Sequence, residues 1–210
     1  MTGEQQQLID DAAAIGVPLN EDQTARALRL LDELTVWNRT YSLTAITERE
    51  AMIRTHLLDS LSGYTALHGT RIADVGTGAG FPGLPLALVA PQSQFTLIDS
   101  VAKKLRFVTH AARLLQLTNV TTQQARVESL SPEVPYDTVM ARAFATLADL
   151  VERVRGLCGP ATRVLAFKGR YPEDELAELP RGWKLDHARA VRIPHLNAER
   201  NILTLVRQAY

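Results

Sequence analysis

Cysteine is nearly absent: Cys158 stands alone in 210 residues. One thiol forms no internal disulfide and supplies no zinc cluster, so a reducing compartment is expected. Long apolar runs are missing too. The longest, Leu84 to Ala90, falls far short of the roughly 20 residues that cross a bilayer, and Met1 to Gln7 is polar where a secretory signal is basic and then apolar. A cytoplasmic protein with no membrane partner follows, and the Asn-x-Thr triplets at Asn38 and Asn119 become chance matches. The five histidines lack metal-ligand spacing, so no metal is expected. No repeat, linker or low-complexity tract interrupts the chain.

An excess of one charge is also lacking, with 23 basic and 23 acidic side chains. A protein that grips free nucleic acid through phosphates is far more basic than this. The balance is uneven, however: residues 1–70 carry five basic and ten acidic residues, and residues 141–210 carry twelve and eight. An RNA partner therefore requires a local face or a larger assembly. What is present is the material of an ordinary globule, 46% hydrophobic and 22% charged. A chain of this length buries about 70% of its unfolded surface. A monomer is expected.

The period of the apolar residues changes near residue 67. Before it, Asn20 and Gln23 form a capping box ahead of Ala25, Leu28, Leu31 and Leu34 at helical spacing. Thr47 and Glu50 form a second box, ahead of Ile53, Leu57, Leu61 and Tyr64. Residues 1–66 thus read as a helical cap. After it, Arg71–Val75, Phe95–Asp99, Val120–Gln124, Tyr136–Met140 and Thr162–Phe167 read as strands. Leu84–Val89, Lys103–Leu115 and Leu147–Leu157 read as the helices between them. This alternation predicts an α/β fold, a doubly wound and mostly parallel sheet covered on both faces, over residues 67–210. Leu185–Ile193 and Leu203–Arg207 leave no room for a helix and predict an antiparallel hairpin at the sheet's end.

The strongest motif is Asp74-Val-Gly76-Thr-Gly78-Ala-Gly80-Phe81-Pro82-Gly83, directly after the first strand. Glycines at alternate positions let backbone turn tightly against a ligand, and Pro82 suits the first turn of the following helix. In an open parallel sheet that turn lies at the strand's carboxyl end, where ligands bind. Phe81 occupies the third-glycine position of the dinucleotide fingerprint, which argues against a pyrophosphate and for an S-adenosylmethionine site with Gly76 and Gly78 at its floor. Asp99 ends the second strand, where an acidic residue takes a ribose hydroxyl pair. Its competing role is to cap the next helix, which Ser100 could equally do.

Further motifs follow in order: Trp37-Asn38, Tyr41 to Ile46, His56-Leu57-Leu58-Asp59-Ser60, Leu97 to Ser100, Lys103-Lys104, Phe107, Arg126-Val127-Glu128, Ala141 to Phe144, Lys168-Gly169 and Glu199-Arg200. Together with the glycine turn, this set resembles the GidB family, also called RsmG. These are bacterial, Rossmann-like methyltransferases that place a methyl group on N7 of a guanine in 16S ribosomal RNA. The resemblance runs from about residue 20 to the end. It implies S-adenosylmethionine contacts at Gly76, Phe81, Val127, Glu128 and Arg142, with 16S RNA in the small subunit or its assembly intermediate as the partner. Ser42 stands where the family usually has Asn, and Asn201 where it usually has His.

Several residues bear on the methyl acceptor. Methylation of cytosine carbon needs a cysteine nucleophile, whereas Cys158 sits in a turn and reads as a packing residue. The (Asp/Asn)-Pro-Pro-aromatic loop of amine methylases is replaced by Ala141-Arg142-Ala143-Phe144. Guanine N7 already has a lone pair, so transfer to it needs alignment more than a base, and no catalytic side chain is named. His56 and Asp59, three apart on one helix, are expected to pair with each other, the alternative being that they face the acceptor pocket. Lys168, Arg200 and Lys103 are the candidate RNA contacts, and Phe144 either stacks on a base or packs in the core. A nicotinamide oxidoreductase, a non-catalytic RNA-binding factor and a small-molecule methyltransferase are the alternatives.

Overall fold

The computed structural model describes residues 1–144 and 146–208. Helix α1 (Gly3–Ala14) opens on a Thr2–Gln5 capping box. Helix α2 (Glu21–Tyr41) opens on the expected Asn20–Gln23 box and buries Leu28, Leu31 and Leu34. It ends at Ser42, whose φ of +49° is left-handed. Asparagine enters that conformation more readily than serine, so this departure from the family pattern falls at a helix cap.

The next cap is one residue later than the sequence suggests. Glu48, not Thr47, caps α3 (Arg49–Met52), its carboxylate accepting from the N–H groups of Glu50 and Ala51. The chain then widens into a π-helical turn over Ile53–Leu58 and returns to α4 (Asp59–Leu61). There the Asp59 N–H bonds the Arg54 carbonyl, five residues back. Such wide turns are rare and cluster at functional sites.

Strands and helices then alternate: β1 (Arg71–Val75), α5 (Gly83–Val89), β2 (Gln94–Asp99), α6 (Ala102–Leu114), β3 (Val120–Gln124), β4 (Tyr136–Arg142), α7 (Leu147–Arg153) and β5 (Cys158–Lys168). A short α8 (Glu173–Ala177) precedes β6 (Trp183–Ala190) and β7 (Asn201–Arg207). The sheet order is β3-β2-β1-β4-β5-β7-β6. β1 to β5 are parallel, while β7 runs antiparallel to both β5 and β6. The doubly wound sheet and its terminal hairpin are therefore as expected.

Three local expectations fail for identifiable reasons. Pro82 does not enter the helix but precedes it, after a cis peptide bond with Phe81. α7 stops at Arg153, where the chain tightens into a 3-10 turn over Arg155–Leu157. β5 starts at Cys158 rather than Thr162, through an irregularity opposite Tyr136 and Thr138. α1, α2, α5 and α6 pack with one face of the sheet in a single core that includes Leu8, Leu31, Phe95 and Phe107. α7 covers the other face with Leu147, Leu150 and Val151.

Candidate active site

The glycine turn leaves the carboxyl end of β1, between β2 and β4, where the strand order reverses. Gly76, Gly78 and Gly80 all adopt positive φ, from +61° to +85°. Near Gly78 no side chain approaches, so backbone is open to a ligand, whereas Gly80 lies close under Leu84 and serves helix packing. Asp74 anchors the turn from below: its Oδ2 accepts from Thr77 Oγ1 at 2.6 Å and from the Gly83 N–H at 2.9 Å. Burial pushes this carboxyl up to about 6 against the pull of those bonds and of Arg142. Its other oxygen, Oδ1, is buried with no partner.

Asp99 ties the end of β2 to its neighbours through both carboxylate oxygens. Oδ1 accepts from the Val101 N–H at the start of α6, and Oδ2 accepts from the Gly78 N–H at 3.0 Å. Lys104 stands 3.8 Å from it. Beside this carboxylate is a cleft of about 280 Å³ lined by Gly76, Ile98, Asp99, Val127, Glu128 and Phe144. Phe144 divides its surface between this cleft and the core beneath it.

A second cleft, of about 290 Å³, opens at the ends of β4, β5 and β7. Asp59, Arg142, Lys168 and Arg200 line it. Asp59, only 6% exposed, does not pair with His56 as expected. Its Oδ1 accepts from Arg200 Nε at 3.0 Å and its Oδ2 takes Arg142 Nη1 at 3.3 Å. The same Nη1 donates to the Thr55 carbonyl in the wide turn at 2.7 Å. His56 instead meets Thr44 Oγ1 through Nε2 at 3.0 Å and stacks on Phe81, ring centres 4.8 Å apart. Burial, helped by nearby Arg142, lowers His56 to about 4, so its ring is neutral. Its Nδ1 is buried without a partner.

The seven residues expected at the cofactor thus divide. Gly76, Asp99, Val127 and Glu128 line the first cleft and the Gly78 N–H bonds Asp99, while Arg142 lines the second cleft with its guanidinium 5.7 Å above the ring of Phe81, which lines neither. Of the expected RNA contacts, Arg200 and Lys168 line the second cleft, but the Lys168 ammonium is held by Glu175 at 2.8 Å. Lys103 is apart from both, on α6, donating to the Tyr41 carbonyl. The orphaned Asp74 oxygen is the functional candidate that sequence reasoning did not single out, while Asp59 takes the alternative open to it and lines the second cleft. A larger cavity, about 440 Å³ between α1 and the wide turn, shares no residue with either cleft. Among the described residues no group of three or more His, Cys, Asp or Glu could hold a metal ion.

Cys158 begins β5, at the end of the sheet opposite the clefts. Burial pushes its thiol up to about 12, with Arg207 opposing only partly. At pH 8 such a thiol is thiolate in about one part in 10⁴. Native protein is expected to resist iodoacetamide while the urea-unfolded chain labels fully. Rapid labelling of the native form, read by mass, would refute this assignment.

A mostly parallel sheet of this order, with an acidic strand end bonded to a glycine turn at the switch point, is that of the Rossmann-like methyltransferases. A SAM-dependent methyltransferase of Thiobacillus denitrificans, solved in complex with S-adenosyl-L-homocysteine, superimposes with a TM-score of 0.55 at 12% identity, covering 71% of this chain and 91% of that one. The family model for GidB, rRNA small subunit methyltransferase G, matches residues 23–203. Ribosomal RNA small subunit methyltransferase G of Cronobacter sakazakii is 41% identical over 94% of each chain. The Methylococcus capsulatus protein of that name is 47% identical over 91% of this chain and 93% of its own. The chain belongs to the GidB family of small-subunit ribosomal RNA methyltransferases.

Proposed function

We propose that this protein transfers a methyl group from S-adenosylmethionine to N7 of a guanine in 16S ribosomal RNA. The observation that carries the reading is that the segment leaving β4 lines two clefts, Arg142 and Ala143 the second and Phe144 the first. One is built for a nucleoside and the other is lined by cationic side chains, and family membership supplies the substrate class. The first cleft fits the cofactor chemically. Asp99 retains lone pairs for a ribose edge beyond the two N–H groups it accepts. The unpartnered Asp74 Oδ1 lies beneath the turn, where a cationic ammonium or sulfonium would satisfy it. Gly76, Gly78, Phe81, Val127, Glu128 and Arg142 complete the proposed contacts.

S-adenosylmethionine, when bound, supplies an electrophilic methyl on a sulfonium. The chain's own contribution is alignment. Phe81, held flat against His56, and Arg142, braced by Thr55 and Asp59, form a fixed unit beside the second cleft. N7 gives up no proton on attack, so neither cleft requires a base. Neutral His56 is a spacer in this scheme.

The weak charge balance favours the small subunit or its assembly intermediate over free RNA as substrate, with a cytoplasmic monomer acting on it. Residues 1–66 are then the helical cap and residues 67–210 the methyltransferase domain. Within the described residues no helix is long and apolar enough to cross a membrane. The test is transfer of labelled methyl to small subunits from a strain lacking this enzyme, followed by nucleoside mass analysis. Label recovered as 7-methylguanosine, and more on subunits than on naked 16S RNA, is the expected result. Cofactor binding without label in RNA would overturn the assignment in favour of a small-molecule acceptor.

A further inference from the structure

Asp59 is an odd residue to bury at the mouth of an RNA-binding cleft. A carboxylate there repels phosphate, yet this one is nearly enclosed and gripped on both oxygens. Holding two guanidiniums apart would explain half of the arrangement. It does not explain why the carboxylate faces the second cleft and lines it together with Arg142 and Arg200. Each carboxylate oxygen has about two lone-pair sites, and each accepts only one protein hydrogen bond here, so acceptor capacity remains on both.

Resting on the guanine-N7 reading above, we propose that Asp59 selects the base, with its carboxylate accepting from N1–H and N2–H of the target guanine while Arg142 donates to O6. The order of groups along the base edge carries the argument. From N7 round the ring, guanine presents N7 as acceptor, O6 as acceptor, then N1–H and N2–H as donors. The protein presents a guanidinium beside a carboxylate, the complementary order. Adenine, with a donor at N6 and an acceptor at N1, meets this pair with both polarities reversed. The arrangement also leaves the reacting atom free. A guanidinium bonded to both O6 and N7, the usual way arginine reads guanine, would occupy the N7 lone pair. Anchoring Arg142 to Thr55 and Asp59 restrains it from that position. Arg200, on the far side of the carboxylate, keeps Asp59 oriented and completes a cluster with one net positive charge.

The wide turn is what makes this possible. It sets Asp59 at the start of α4 and leaves the Thr55 carbonyl to Arg142, so both ends of the reading pair are fixed by one irregular segment, Ile53–Leu58. Asp59 is in this scheme a specificity-determining residue that touches substrate.

The experiment uses small subunits reconstituted with 16S RNA that carries either guanosine or inosine at the methylated position. Inosine keeps N7, O6 and N1–H and lacks only the N2 amine. Wild-type enzyme is expected to lose about tenfold in kcat/KM on inosine. Asp59→Asn is expected to be slower on guanosine, with the guanosine-to-inosine ratio reduced to within about twofold and S-adenosylmethionine affinity retained in calorimetry. A purely structural Asp59 would instead lower both substrates equally and keep the tenfold ratio, which overturns the proposal. Equal wild-type rates on guanosine and inosine also overturn it, and need no variant to fold. No transfer to the guanosine subunit by wild type would overturn the functional reading itself, an outcome distinct from equal transfer.

Discussion

Asp99→Ala is expected to weaken S-adenosylmethionine binding by about 100-fold or more, because hydrogen bonds to a charged group contribute about 1.5–3 kcal/mol each and a ribose edge offers two. The side chain also ties the ligand turn to its neighbour: one oxygen accepts from Gly78 and the other from Val101. Removing it frees two backbone N–H groups and the positive charge of Lys104, 3.8 Å away. Asp99→Asn retains one acceptor, so an intermediate loss of about tenfold is expected. Calorimetric titration with the cofactor, alongside thermal melts of the free protein, separates lost contact from lost fold. An Asp99→Ala protein that melts like wild type and binds the cofactor within threefold would show that the ribose lies elsewhere.

The strands along the chain and the glycine turn were legible because each rests on local patterning. Strand residues Ile72 to Val75 are buried without alternation, as in a central parallel strand, and Asp74 to Gly83 needs backbone that only glycine adopts freely. Asp99 was visible for the same reason: strand ends in such sheets sit at a predictable edge. The second cleft was not legible as a unit. Asp59, Arg142 and Arg200 lie on a helix, a strand end and a hairpin, and only the folded chain brings them within 3.3 Å. Spacing suggested that His56 would pair with Asp59, since residues three apart share a face of a regular helix. The widened turn over Ile53–Leu58 breaks that rule, and nothing in its apolar pattern distinguishes it from an ordinary helix. Lys168 was correctly placed at the strand end, yet its partner Glu175 comes from a short helix that apolar periodicity does not reveal.

Asp74→Asn and His56→Gln are expected to tilt the pH dependence of stability in opposite directions, each by about 3 kcal/mol, since one pKa unit corresponds to about 1.36 kcal/mol. Burial raises Asp74 from 3.8 to about 6, so between those values the folded chain binds the proton more tightly than the unfolded one. Its contribution is present below about pH 4 and is lost as pH rises through 6. Burial lowers His56 from 6.5 to about 4, so there the unfolded chain binds more tightly. Its contribution is present above 6.5 and is lost as pH falls through 4. In wild type the two slopes run against each other. Asp74→Asn leaves His56 unopposed, and stability should then climb with pH across this window; His56→Gln leaves Asp74 unopposed, and stability should fall. Urea unfolding at intervals from pH 4 to 6.5, taken as variant minus wild type, cancels every other titrating group. The slope is the quantity to read, because absolute stability also reflects the amide left unpartnered at Oδ1 and the stacking lost on Phe81. Parallel curves for variant and wild type would mean that neither group is held in the charge state its burial implies. If Asp74 Oδ1 receives the cofactor's cationic end, Asp74→Asn should weaken S-adenosylmethionine binding at neutral pH even where burial of the carboxylate no longer costs stability. The two effects would then have one cause: a charge kept buried because the ligand neutralises it.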